Sequence, residues 1–374
     1  MKRPSPIENF APAPLLGPMR HKGRGAASNP EGRFETISRS VEDDGWTPDE
    51  EVIEPSRPKT QVSIEAARRI ISHNDSPDIG FDHSINAYRG CEHGCVYCYA
   101  RPSHGYLNLS SGLDFETRLF AKTNAAELLR KELAKPSHVC SPINLGANTD
   151  PYQPIEKTYR ITRSILEVLL ETGHACTIVT KNALVERDID LLSELARRRL
   201  VHVFVSVTSL DNKLSSTLEP RASAPHRRLK AVETLNGAGI PCGVMVAPII
   251  PFVTDQFMER ILESAAQAGA RVAGYTILRL PWELKDLFRQ WLDLHLPDRA
   301  EHVMARIKDM RGGRDNDPRF HTRMRGAGEF AELLRQRFLL ACRKHGIGRG
   351  REGLALDVTQ FRPPREGPEQ GCLF

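Results

Sequence analysis

Three cysteines, Cys91, Cys95 and Cys98, fall within the short stretch Tyr88-Arg89-Gly90-Cys91-Glu92-His93-Gly94-Cys95-Val96-Tyr97-Cys98-Tyr99-Ala100-Arg101. Thiolates so crowded repel one another unless a metal neutralises them, and soft sulfur ligands select zinc, copper(I) or iron–sulfur clusters. The spacing Cys-x-x-x-Cys-x-x-Cys offers three ligands and no fourth. A cubane held there keeps one iron open to an exogenous ligand, and that open corner is where chemistry could occur. The competing reading is a structural zinc completed by His93 or His104 as a Cys3His set, although such sites usually draw their ligands from two separated pairs. No second cysteine cluster is present, so no auxiliary iron–sulfur centre is expected. Cys140, Cys176, Cys242 and Cys342 read as small buried apolar residues.

Further polar groups fall at points where an apolar run ends. In Gly146-Ala147-Asn148-Thr149-Asp150-Pro151 the small residues let backbone approach a ligand, while Asn148, Thr149 and Asp150 offer acceptors for an ammonium group. The same tetrapeptide type also starts helices and turns. Lys181 supplies a cation suited to an anion at low dielectric, and Ser206 a hydroxyl. Tyr97 and Tyr99 could flank a planar ligand or merely fill space. The run from Arg306 to Arg325, with Arg311, Arg314, Arg319, His321, Arg323 and several glycines, has the composition of a segment that grips phosphates or a carboxylate. Arg197-Arg198-Arg199 and His226-Arg227-Arg228 read as solvated faces.

The elements that must position these groups follow from hydrophobic periodicity. Short apolar or β-branched runs, 143–147, 176–180, 201–207, 242–248 and 272–278, are each followed by an amphipathic segment, and a first strand enters the cysteine loop near 85–88. Six βα units result. Helix signals agree: Asn124 stands three before Glu127 as a capping box, Thr254 precedes an apolar-periodic stretch, and Gly173 and Gly269 stand at helix ends. Strands apolar on both faces and separated by helices form a parallel sheet, with ligands at its carboxyl end. Periodicity does not choose between a partly closed barrel and an open doubly wound sheet. Residues 61–72 have helical spacing at Val62, Ala66, Ile70 and Ile71. Segments 282–294, 299–310 and 329–345 read as helices, and 354–358 as a final strand.

The cysteine stretch resembles the signature of the radical S-adenosylmethionine (SAM) superfamily, Cys-x-x-x-Cys-x-aromatic-Cys, with Tyr97 as the aromatic. Cys98-Tyr99-Ala100-Arg101, Val179-Thr180-Lys181 and Leu218-Glu219-Pro220 are similar to the spore photoproduct lyase branch. The resemblance covers roughly residues 80–290. It implies an α/β fold, an incomplete (βα)6 barrel, with a [4Fe-4S] cluster on Cys91, Cys95 and Cys98 and SAM chelating the open iron. It further implies that Thr149 and Asp150 receive the SAM amino group, Lys181 lies near its carboxylate, and Ser206 contacts it. Reductive cleavage would give a 5′-deoxyadenosyl radical that abstracts hydrogen from a substrate, with an electron donor such as flavodoxin or ferredoxin. The chain departs from the lyases at Ala147, where they carry a hydrogen-donating cysteine; this argues against photoproduct repair and leaves Cys140 as the remaining candidate donor.

At 374 residues the chain can bury a full core, and its net charge of +5 permits an anionic partner without demanding one. Residues 1–60 carry nine prolines and no sustained apolar period, and read as a disordered arm. The expected divisions are that arm, a core at 61–290, a helical extension at 291–358 and a flexible tail at 359–374. No apolar run is long enough to cross a bilayer and no signal-peptide core follows Met1, so a cytoplasmic protein is expected. Gln370, Leu373 and Phe374 resemble the peptide with which bacterial repair proteins grip the DNA sliding clamp. These readings favour a nucleic acid substrate. The alternative is a non-enzymatic iron–sulfur or zinc protein that binds nucleic acid.

Overall fold

The computed structural model describes residues 18–34, 58–349 and 355–364. Its strands are β1 (Gln61–Ile64), β2 (Ile71–His73), β3 (His83–Ile85), β4 (Tyr88–Arg89), β5 (Arg118–Ala121), β6 (Ile143–Leu145), β7 (Cys176–Thr180), β8 (Val201–Ser206), β9 (Cys242–Ile249), β10 (Val272–Ile277) and β11 (Gly348–Arg349). Eight of them form one sheet in the order β11-β10-β9-β8-β7-β6-β3-β2. Every pair from β3 to β11 is parallel, and β2 alone runs against its neighbour.

That order settles the architecture. A doubly wound sheet reverses its strand order at a switch point, whereas here each new parallel strand is laid beside the last in one direction. Right-handed crossovers then place the helices on one face and curl the sheet around the other. β2 and β11 remain unjoined, so the barrel is incomplete. Helices Ala125–Leu133, Ile161–Thr172, Ile189–Arg197, Pro225–Gly237 and Met258–Gln267 pack outside. Ile161–Thr172 shows the pattern: Ile165, Leu166, Val168 and Leu169 are buried, and Gly173 closes it at φ +64°. Beyond β10 come helices Leu284–His295, Pro297–Asp309 and Glu329–Lys344. A small sheet, β1-β5-β4, stands beside the cysteine loop.

Several expectations are corrected. Residues 61–72 are not a helix but β1, a connection and β2, because pairing with β5 and β3 outweighs the local spacing. Asn124 does not cap: its side chain accepts from Ala67 N at 3.1 Å and donates to Ala67 O at 2.9 Å, fastening that connection. The Thr254 hydroxyl is likewise spent, accepting from Ile250 N at 2.8 Å. Residues 355–358 are irregular, and β11 takes the sheet edge instead. Phe361, expected in an exposed tail, packs between the rings of His138 and His174 at 5.1 and 5.2 Å. Within the expected arm, residues 18–34 pack onto the core, burying Arg24, Ala26 and Ala27. Hydrogen bonds rather than apolar area hold this segment, which is why hydropathy did not reveal it. No helix among the described residues is long and apolar enough to cross a membrane.

Candidate active site

The cysteine loop follows β4 and is built from both sides. Gly90 and Gly94 take φ of +72° and +67°, and a side chain on Gly94 would meet a Glu116 carboxylate oxygen at 2.7 Å. Arg101, fully buried, donates to Cys95 O at 2.8 Å and Gly94 O at 3.1 Å, and pairs with Glu116. Glu116 in turn accepts from the backbone of Gly25 and Ala26 at 3.0 and 2.8 Å. From the turn after β6, Gln153 accepts from Glu92 N at 2.8 Å and donates to Gly90 O at 3.2 Å. Val96 N donates to Leu218 O at 3.0 Å. With its backbone donors and acceptors so widely partnered by neighbouring elements, the loop's shape is set by protein contacts.

Its thiols are free, Cys91 and Cys95 buried and Cys98 partly so. Burial pushes the Cys95 thiol up to about 12, Lys181 opposing and Glu219 and Cys98 adding to the rise. Cys91 is raised in the same way, by burial first and then by Asp150 and the other two sulfurs. Thiols in this setting ionise when a cation compensates them, which is the setting of a metal ligand.

The loop opens on a cavity of about 510 Å³ at the carboxyl end of the parallel strands. Cys95, Cys98, Tyr97 and Tyr99 line it, with Gly146 and Asn148 after β6, Lys181 after β7 and Ser206 at the end of β8. Gly146 has no alternative: at φ +102° its Cβ would stand 2.3 Å from Val179 O. Lys181 Nζ is 5.9 Å from the centre of the Tyr97 ring. Burial works against its charge, but Cys95, Glu219 and Asp150 outweigh burial and raise its pKa.

Thr149 and Asp150 are not brought to the cavity wall. The Asp150 carboxylate accepts from Thr180 Oγ1 and Lys181 N, both at 2.7 Å, and from Tyr152 N at 2.9 Å, and lies 3.3 Å from His93 Nδ1. Burial tends to raise it, and these donors outweigh burial and bring it down to about 2. It ties the turn after β6 to β7, and its hydrogen bonds run to protein groups behind the wall. The Thr149 hydroxyl donates to Tyr88 O at 3.1 Å.

The zinc set is not assembled. His93 Nε2 lies 3.1 Å from Asn182 Nδ2, and His104 Nε2 lies 2.9 Å from Arg118 O. Among the described residues no three His, Cys, Asp or Glu side chains converge on one ion. Cys140, at the opposite end of β6, does not line the cavity, so the structure removes it as a hydrogen donor; Ala147 does, its carbonyl taking the Tyr99 hydroxyl. In the basic segment, Arg311 is buried and donates to the carbonyls of Leu278, Thr322 and Arg323, while Arg319 pairs with Asp317 and Arg323 with Asp78. Only Arg323 and Met324 of residues 311–325 reach the cavity.

Behind the wall lies a network the sequence did not expose. Glu219 pairs with Arg228, receives the Tyr97 hydroxyl, and lies 2.7 Å from Thr208 Oγ1. Arg228 is 1% exposed, not on a solvated face, and donates to Ser206 O at 3.1 Å. The signal was present only in half: Leu218-Glu219-Pro220 could be noticed, but nothing local marks Arg228 as its partner.

Comparison with known proteins agrees with this geometry. The family model of the Radical SAM superfamily matches residues 85–265. An uncharacterised protein of Mycobacterium tuberculosis is 37% identical over 232 residues, covering 62% of this chain and 67% of the relative. One of Methanocaldococcus jannaschii is 30% identical over 194 residues, 52% of this chain and 69% of its own. Among solved structures, a spore photoproduct lyase variant with bound AdoMet and dinucleoside spore photoproduct superposes with a TM-score of 0.54 at 17% identity, covering 77% of this chain and 80% of that one. At that identity the likeness is one of fold. A signature loop placed on a partial parallel barrel, the family match and these relatives together identify the chain as a radical SAM enzyme, a member of the Radical SAM superfamily.

Proposed function

We propose that Cys91, Cys95 and Cys98 hold a [4Fe-4S] cluster with one iron open toward the cavity, and that SAM binds there. The observation that carries this reading is three free thiols on a prebuilt loop, two of them on the wall of a cavity that also presents Lys181. When bound, the cluster and SAM together would supply a 5′-deoxyadenosyl radical able to take hydrogen from a substrate. The chain's own residues bind and orient. Lys181 faces an anion, the role proposed here for the SAM carboxylate. Gly146 admits backbone contact, Asn148 and Ser206 offer hydrogen bonds, and Tyr99 presents its ring. Tyr97, pinned to Glu219, fixes the wall between Cys95 and Cys98. Thr149 and Asp150 act one step back, shaping the turn.

An electron donor such as flavodoxin or ferredoxin is proposed as partner, and a nucleotide or nucleic acid as substrate, supported by the cations at the cavity. Gln370, Leu373 and Phe374 lie outside the described residues, and a clamp contact through them remains a proposal from the sequence. The test is anaerobic iron loading followed by SAM and dithionite. Iron and sulfide in a fourfold set with release of 5′-deoxyadenosine are expected; loaded protein that leaves SAM intact would sink the reading.

A further inference from the structure

The cavity wall carries three cations, Lys181, Arg279 and Arg323, and no Asp or Glu. Two of them are accounted for: Lys181 faces the cysteine loop, and Arg323 is paired with Asp78. Arg279, just beyond β10, is not. Its Nη1 lies 3.6 Å from Met324 Sδ, its Cζ stands 5.5 Å from the centre of the Tyr99 ring, and its Nε is buried with no acceptor. No carboxylate among the described residues lies within ion-pair distance of it. Buried Arg101 and Arg228 each have a glutamate, and buried Arg311 has a ring of carbonyls. Burial first, and then the like charge of Arg323, depress the Arg279 pKa against smaller opposing pulls from Tyr99 and from Asp78, which is itself paired with Arg323, so the free protein holds this charge at a cost.

We propose that Arg279 anchors an oxyanion, phosphate or carboxylate, carried by the substrate; this rests on the radical reading of the same cavity. SAM brings one anionic group, and Lys181 is placed for it. Arg279 follows β10, three strands along the sheet from Lys181 after β7, so the two cations stand on different parts of the cavity wall. The flanking wall of Met245, Ile277 and Met324 is apolar, which strengthens a charge-assisted contact. A guanidinium fork takes either oxyanion through paired N–H groups.

The experiment measures equilibrium binding to iron-loaded protein of uridine 5′-monophosphate, inorganic phosphate, propionate and uncharged uridine. At least one anionic probe should bind ten times or more tighter than uridine, and comparison of the phosphate and propionate arms assigns the oxyanion. Arg279→Gln should weaken that probe on the order of ten- to a hundredfold, with part of the loss recovered in Arg279→Lys. Arg314→Gln removes the same charge from an exposed loop position and should leave affinity within about twofold. Equal affinity for uridine and all anions, or equal damage from Arg314→Gln, would overturn the proposal. As a check independent of ligand, Arg279→Met should unfold no earlier than the parent chain, and a clear fall in melting temperature would show a structural role instead. SAM binding is measured on the same preparations: its failure in the parent chain would end the radical reading, while the anion comparison still decides the role of Arg279.

Discussion

At the residue scale, Lys181 and Glu219 do different work although both surround Cys95. Among the described residues the Lys181 ammonium has no hydrogen-bonding partner on the cavity wall, and its charge is stabilised by Cys95, Glu219 and Asp150. Lys181→Met is expected to lower SAM affinity of the iron-loaded protein about tenfold or more while leaving the fold intact; unchanged affinity in equilibrium dialysis would remove its assigned role. Glu219 sits in a fully buried pair with Arg228. Glu219→Gln leaves that guanidinium unbalanced and should cost about 3–5 kcal/mol in urea unfolding, and the double replacement Glu219→Leu with Arg228→Leu should lose less than the single one. The three cysteines were readable in sequence because their spacing is local. The partners of Asp150 were not readable, because its donors Thr180 and Lys181 and the nearby His93 come from other elements.

At the element scale, what positions the site is the meeting of the cysteine loop with the turns after β6 and β7. Gly146 lets the first of those turns touch β7, with room for no side chain before Val179 O. Gly146→Ala combines a left-handed backbone with that clash and should destabilise the chain by roughly 1–3 kcal/mol, measured by denaturant unfolding. SAM affinity should fall with it, since Asn148 rides on the same turn. Strands β7 to β10 were legible within a residue or two because neither face is exposed to solvent and the runs are rich in apolar and β-branched residues. β1 and β2 were not, being short, at edges, and stabilised by partners distant in sequence.

At the scale of the whole molecule, the amino end of the barrel carries a histidine group, His83, His138 and His174, with Phe361 strapped over the last two and His73, which also lines the cavity, packed against His83. His138 Nε2 and His174 Nε2 are 3.0 Å apart, so one of them must be an unprotonated acceptor. Burial, followed by the neighbouring rings, depresses His174 to about 4 and lowers His83 and His138. A depressed histidine pKa means the unfolded chain binds protons first. Stability is therefore full above about pH 6.5 and lost as pH falls toward 4, by up to about 3 kcal/mol for His174. Melting temperature against pH should show this fall, and His174→Phe should flatten it; an unaltered profile would exclude the cluster as its cause.

From the sequence alone came the chemistry of one loop, the parallel βα alternation and the family those imply, because each is written in local spacing. Tertiary structure alone decided that the strands run in sequential order and so curl into an open barrel, that residues 18–34 brace Glu116 behind the cysteines, and that Asp150 is a tie while Arg279 is left, among the described residues, without an ion-pair partner. Those outcomes depend on which distant groups meet and on what burial does to their charge, and neither quantity exists until the chain has closed on itself.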